Sequence, residues 1–199
     1  MELSVERAPV EPEPRAPYWT LNDYHQAIDA GIFGDRRIEL LNGTLYEMPP
    51  MREPHIGTAN HLAARFYTLG ETRVRRQMPI VLPGDREPEP DITVVAADAP
   101  LKPSAAHVQL VIEVSYATRQ FDRGLKLEAS LAAGLHEVWI VDLVERCALV
   151  YRTGVLTGRY AAGDKAQFTA ELVTSSDIPG FWKVGVDYLA TCIGMITCV

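Results

Sequence analysis

Cysteine is scarce in this 199-residue chain: there are three, Cys147, Cys192 and Cys198. The number is odd and no CxxC spacing occurs, which argues against a disulfide framework and against a zinc knuckle. Reduced thiols in a cytoplasmic protein are the simplest reading. No apolar run approaches the length of a membrane span, so a membrane protein is not expected. Net positive charge is missing as well. The formal charge is −7, which excludes coating nucleic acid by bulk electrostatics and leaves room only for a local basic patch. Common catalytic signatures are absent too: the chain has no GxxxxGK[ST] phosphate loop, no GxGxxG, no GxSxG and no HExxH.

What is present is an ordinary globular composition, 47% apolar and 23% charged, long enough for one core. Residues 1–17 are acidic and proline-rich and read as a flexible leader; residues 18–199 read as a single domain. Thr20 can cap a short helix ending at Gly31, with Leu21, Tyr24 and Ile28 on its apolar face. Asn42-Gly43 between β-compatible flanks predicts a two-residue hairpin. Ile56, Ala59, Leu62, Ala63, Phe66 and Leu69 recur at helical spacing between Glu53 and Gly70. Strands are expected over 72–82, 91–97, 107–115, 136–143 and 146–153, the last two turned at Val144-Glu145. A helix is expected over 120–134, burying Phe121, Leu125, Leu127, Ala129 and Leu131 and stopped by Gly134. A terminal helix is expected around Val186–Ile193. This order implies an α/β (α+β mixed) fold, a mixed central sheet flanked by helices with an N-terminal helix and hairpin.

Carboxylates at strand positions are the candidates for chemistry. Glu39 interrupts "RIELL", Asp91 opens "DITVV" and Glu113 interrupts "LVIEV". Each alone suits a solvent-facing strand residue. Around Glu113, however, the run is apolar on both faces, as in a strand covered on both sides. There an unpaired carboxylate costs several kcal/mol. Lys126 lies on the next helix, where it could merely pair with Asp122 across one helical turn for roughly 0.3–0.5 kcal/mol. Taken together, carboxylates and a lysine fit metal-assisted phosphodiester hydrolysis with Mg²⁺, or Mn²⁺ in its place. His55 and His61, six positions apart, lie on different helix faces and make a poor joint metal site.

The series "IELLNG" (38–43), His55 at the head of a helix, "PEPDITVV" (88–95), "LVIEVSYAT" (110–118), "FDRGLKLEASLAAG" (121–134) and "EVWIVDL" (137–143) resembles the Uma-two family. These are restriction-endonuclease-like proteins of the PD-(D/E)XK nuclease superfamily. The resemblance implies a restriction-endonuclease-like core and endonuclease activity on DNA. It also implies Asp91 and Glu113 as metal ligands, Glu39 as a further acidic catalytic member and Lys126 as the catalytic lysine. In the superfamily motif a lysine follows the glutamate by two positions; here that position is Ser115. His55 matches a recurrent family position, and Asp122 and Ser115 are accessory candidates. Ser130 stands where the family often carries an aromatic residue. Phosphate contacts could come from Arg36, Arg37, Arg73, Arg75 and Arg76, with an ordinary solvated strand edge the preferred reading of "TRVRRQ" over a DNA groove. DNA is expected to bind weakly or with a partner's help, and cutting two strands suggests a homodimer. Two alternatives stand beside this reading: a non-catalytic interaction protein that keeps the fold, and a carboxylate-pair hydrolase of the glycosidase type.

Overall fold

The computed structural model describes residues 15–67 and 73–161; the expected terminal helix and most of the expected leader lie outside the described residues. Helix α1 (Leu21–Asp29) starts where the sequence places it. Thr20 Oγ1 accepts a hydrogen bond from the Asp23 amide, and Asp23 Oδ2 accepts one from the Thr20 amide. These reciprocal bonds satisfy two donors that a helix start leaves open. Its inward residues are Tyr24 and Ala27, while Ile28 is exposed. The Tyr24 hydroxyl donates to the Ile38 carbonyl at 2.7 Å, fixing α1 to the strand that follows.

That strand, β1 (Ile38–Leu41), pairs with β2 (Thr44–Glu47) in a separate two-stranded hairpin. Asn42 and Gly43 both have positive φ, 52° and 71°, as a two-residue primed turn requires. A Cβ on Gly43 would collide with the Tyr18 ring. Gly43→Ala is therefore expected to cost about 1–2 kcal/mol, the penalty of a left-handed residue with a side chain. Thermal denaturation would show this as a midpoint lower by about 2–8 °C; an unchanged midpoint would mean that the turn tolerates a side chain.

Among the described residues six strands form the main sheet, in the order β3 (Val74–Arg76), β4 (Ile92–Val95), β5 (Val108–Ser115), β6 (Glu137–Asp142), β7 (Cys147–Arg152) and β8 (Val155–Ala161). All neighbours are antiparallel except β5 and β6, which are parallel. A parallel pair needs a long crossover, here supplied by the helical segment Arg119–Ala132, α3. Helix α2 (Glu53–Tyr67) covers one face of the sheet, packing Ala59, Leu62, Ala63 and Phe66 against Leu110, Ile112 and Val114 of β5. The other face takes Val111 of β5 together with Leu127 of α3. Strand β5 is thus covered on both sides, as its composition predicts. No helix among the described residues is long and apolar enough to cross a membrane.

Two elements depart from the sequence expectation. The strand expected over 72–82 is only Val74–Arg76 long. Gln77 adopts a positive φ of 48° and turns its amide to the Pro90 and Asp91 carbonyls, and Pro79 has no amide to offer a ladder. Helix α3 is composite: α-helical Arg119–Phe121, π-helical Asp122–Lys126 and α-helical Leu127–Ala132. A π turn closes its bonds one residue later than an α turn. The inward pattern shifts accordingly: Phe121 and Leu125 are only half-buried, whereas Asp122 and Lys126 are buried.

Candidate active site

Burial concentrates charge where these elements meet. Glu39 is 1% exposed, Asp91 6%, Glu113 5%, Asp122 3% and Lys126 4%. They arrive from the hairpin, from the residue before β4, from β5 and from the π turn of α3. Together with His55 of α2 they line one cavity of about 40 Å³, room for more than one water at roughly 10–15 Å³ each. The packing of Tyr46 against Phe121, ring centroids 5.0 Å apart, ties the hairpin to α3 and brings Glu39 to Lys126.

Lys126 Nζ lies 2.9 Å from Glu113 Oε1, 3.4 Å from Glu39 Oε1 and 3.3 Å from Glu39 Oε2. The last approach is an ion pair without hydrogen-bond geometry, and Glu39 Oε2 is buried with no hydrogen-bond partner. Asp91 Oδ2 accepts from the Val114 amide at 2.8 Å and lies 2.9 Å from His55 Nε2. The other ring nitrogen of His55, Nδ1, is buried without a partner. Asp122 Oδ2 accepts from Ser115 Oγ at 2.9 Å and from Thr118 Oγ1 at 2.7 Å. Ser115, standing where a lysine would sit in the superfamily motif, therefore anchors Asp122. Asp122 and Lys126 do not form the exposed pair that helical spacing alone would allow: both are buried, and the nearest carboxylates to the ammonium belong to Glu113 and Glu39.

The electrostatics are unbalanced. Four buried carboxylates and one ammonium sum to −3 when all are ionised and His55 is neutral. Burial pushes Glu113 well above the usual carboxylate range, opposed by Lys126 and reinforced by Asp91, Asp122 and Glu39. Burial likewise raises Asp122, against the pull of Thr118, Lys126 and Ser115. For Lys126 burial acts downward, yet the surrounding carboxylates, Glu113 first, hold its pKa above the ordinary lysine value. Lys126 is accordingly a cation, and the strain of the excess charge falls on the carboxylates.

Such an excess is what a cation would offset. Among the described residues no group of three His, Cys, Asp or Glu is arranged to hold a metal ion. Mg²⁺, however, takes only one or two protein carboxylates and fills its shell with water and phosphate oxygens. Asp91 and Glu113 line the same cavity, and at that count the residues fit.

Several lining residues are not singled out by the sequence. Glu89, two positions before Asp91, faces the cavity and pairs with Arg37 at 3.4 Å; strand-like alternation from Asp91 was the signal for it. Burial and then Glu39 raise its pKa, against Arg37. Arg52 and Tyr116 also line the cavity. Of the arginines expected to meet phosphate, only Arg37 lies there. Arg73 and Arg75 are corrected: Arg73 bonds the Val95 carbonyl and Gln109, and Arg75 bonds the carbonyls of Ala99, Pro100 and Leu101. Arg73 thus ties β4 to β5, and Arg75 fastens the loop after β4. Arg36 bonds the carbonyls of Ile32 and Phe33, and neither Arg76 nor His61 lines the cavity.

Comparison with known proteins bears on this geometry. The sequence profile of the Uma2 family, described as "putative restriction endonuclease", matches residues 21–191. A crystal structure described as a "putative nuclease belonging to DUF820" from Anabaena variabilis superposes with a TM-score of 0.62. The superposition covers 87% of this chain and 98% of the other, at 15% sequence identity, and so shows a shared fold: a mixed sheet flanked by helices. No curated protein matches the chain significantly.

Proposed function

The chain belongs to the Uma2 family, and from that premise we propose that it is a metal-dependent endonuclease hydrolysing DNA phosphodiester bonds. The observation that carries this reading is the convergence of Glu39, Asp91, Glu113 and Lys126 in one cavity with more buried negative charge than buried cation. Asp91 and Glu113 would hold Mg²⁺, with Mn²⁺ as a substitute. When bound, the metal supplies Lewis-acid polarisation of the scissile phosphate and a lowered pKa for attacking water.

The chain's own residues supply the rest. Lys126 brings a fixed positive charge to the cavity, where it stabilises charge developing on a phosphate and can orient water. Glu39 and Glu113 hold that ammonium from two sides. The Val114 amide and His55 orient Asp91, as partners behind a ligand commonly do. Ser115 and Thr118 hold Asp122 against the start of α3, so the helix that carries Lys126 is tied to the end of the strand that carries Glu113.

A second reading, an interaction protein that keeps the fold without catalysis, is favoured by two observations: Lys126 already lies between Glu39 and Glu113, and no three-ligand group exists among the described residues. Calorimetric titration with Mg²⁺ and Mn²⁺, followed by a plasmid-cleavage assay, separates the two. The nuclease reading expects saturable cation binding and cleavage that stops in EDTA. If neither cation binds and no DNA is cut, the interaction reading replaces it.

A further inference from the structure

One charged cluster lies outside the cavity and is unused by the mechanism above. At the four-residue turn between β6 and β7, Glu145 accepts hydrogen bonds from three arginines: Arg119 at 2.6 Å, Arg123 at 2.8 Å and Arg159 at 2.9 Å. These come from two distant segments, the start of α3 and strand β8. Glu145 is 36% exposed and Arg159 54%, so the cluster faces solvent. Beneath it the fully buried Asp142 bonds Arg119 at 2.8 Å and Arg123 at 3.1 Å and accepts from the Val144 and Glu145 amides. Two of the arginines are thus anchored from below by Asp142, independently of Glu145. The neighbouring Arg146 has a buried Nε with no hydrogen-bond partner.

Three guanidiniums against the two carboxylates of Asp142 and Glu145 leave one positive charge in excess, and an exposed ion pair such as Arg159–Glu145 is worth only about 0–1 kcal/mol. The same planar, multidonor arrangement matches a phosphate group. Its position is informative. Thr118 and Asp122 line the cavity, and the next residue after each is Arg119 and Arg123, turned toward the β6–β7 turn. Helix α3 therefore presents its cavity on one side and this cluster on the other, in a chain whose overall charge repels DNA.

We propose that Arg119, Arg123 and Arg159 form a binding site for a backbone phosphate of the DNA, which Glu145 occupies as an internal stand-in until nucleic acid displaces it. Exposure of Glu145 at a turn tip lets its side chain swing out, and Asp142 keeps Arg119 and Arg123 in place when it does. The arginines hold the Glu145 carboxyl down to about 2, through the bonds from Arg159 and Arg123 first. The inference rests on the nuclease reading for the identity of the phosphate's owner.

The test is fluorescence anisotropy with a labelled DNA duplex, using the full chain in Ca²⁺, across a salt series, for wild type, Glu145→Gln and Arg159→Ala. Arg159 bonds Glu145 and leaves Asp142 to the other two arginines, so its removal spares the buried pair. Glu145→Gln is expected to tighten binding by about threefold or more, because the competing charge is gone. Arg159→Ala is expected to weaken it and to reduce the slope of log Kobs against log salt by about 0.9, one phosphate contact. Identical affinity and slope in all three proteins, with wild type still cutting DNA in Mg²⁺, would overturn the phosphate site and leave the nuclease reading intact. If wild type cuts no DNA, the nuclease reading fails, and inorganic phosphate decides the site by itself. Thermal stabilisation by phosphate that grows in Glu145→Gln and shrinks in Arg159→Ala supports an anion site; equal stabilisation of all three overturns it.

Discussion

Glu113→Gln is expected to lose metal-dependent DNA cleavage by about 100-fold or more while melting at a higher temperature than the wild type in EDTA. The two effects have one cause. Burial raises the Glu113 pKa in the folded state, so the folded protein binds that proton more tightly than the unfolded chain does. A raised carboxyl pKa favours folding at low pH, and the benefit is lost as pH rises from the ordinary value of 4.5 toward the folded one. At neutral pH the carboxylate is therefore a burden on the metal-free fold, and the amide removes it. About 1 kcal/mol of relief would raise the midpoint of a chain this size by about 2–4 °C. The amide cannot replace a charged metal ligand, so the stability gain comes with lost activity, the trade expected where a site is strained for function. Differential scanning fluorimetry in EDTA and a cleavage assay in Mn²⁺ check both halves. A lower midpoint would mean that the pairing with Lys126 outweighs the burial cost, against the charge-excess account. Retained cleavage would remove Glu113 from the site.

Lys126→Met is expected to act oppositely on stability. Lys126 is the buried cation among four buried carboxylates, and removing one partner of a buried ion pair commonly costs about 3–5 kcal/mol. For a chain of this length that is a midpoint lower by about 6–20 °C. Methionine keeps much of the lysine stem's volume, so lost charge, rather than a cavity, dominates. The double variant Lys126→Met with Glu113→Gln then provides the sharper measurement. With both charges gone, the deficit of the lysine variant should be partly recovered, because neighbouring charges couple and their effects do not add. Strict additivity in urea denaturation would show that Glu113 and Lys126 do not share the interaction that their 2.9 Å contact implies. Cleavage by the lysine variant should also fall, and is to be read only at temperatures where circular dichroism shows it folded.

Much of the frame was legible in the residues. Thr20 as a helix cap, Asn42-Gly43 and the helical recurrence from Ala59 to Phe66 each specify a local shape through short-range chemistry, and each appears in the structure where expected. The doubly apolar run around Glu113 announced a strand covered on both faces. Where the reading ended, the reason was always a contact made at a distance. The strand expected through residue 82 stops at Arg76 because Gln77 turns its amide to the Pro90 and Asp91 carbonyls, a pairing that no window around Gln77 contains. Arg73 and Arg75 looked like a basic strand edge until Val95 of β4 and the loop after it supplied carbonyls for them. Glu145 and Arg159 carry no motif at all, and fourteen positions separate them.

Lys126 marks the division most clearly. By itself the sequence determined that a lysine would sit on the helix after Glu113's strand, within reach of Asp122 by helical spacing, and that the strand around Glu113 would be buried. It did not determine which way the ammonium turns. That was decided by the π turn over Asp122–Lys126 and by the hairpin, clasped to α3 through Tyr46 and Phe121, which delivers Glu39. Periodicity is a property of neighbouring residues and can be read from them. The balance of charge in a buried site depends on groups that only folding brings within a few ångströms, where low polarisability makes each one count.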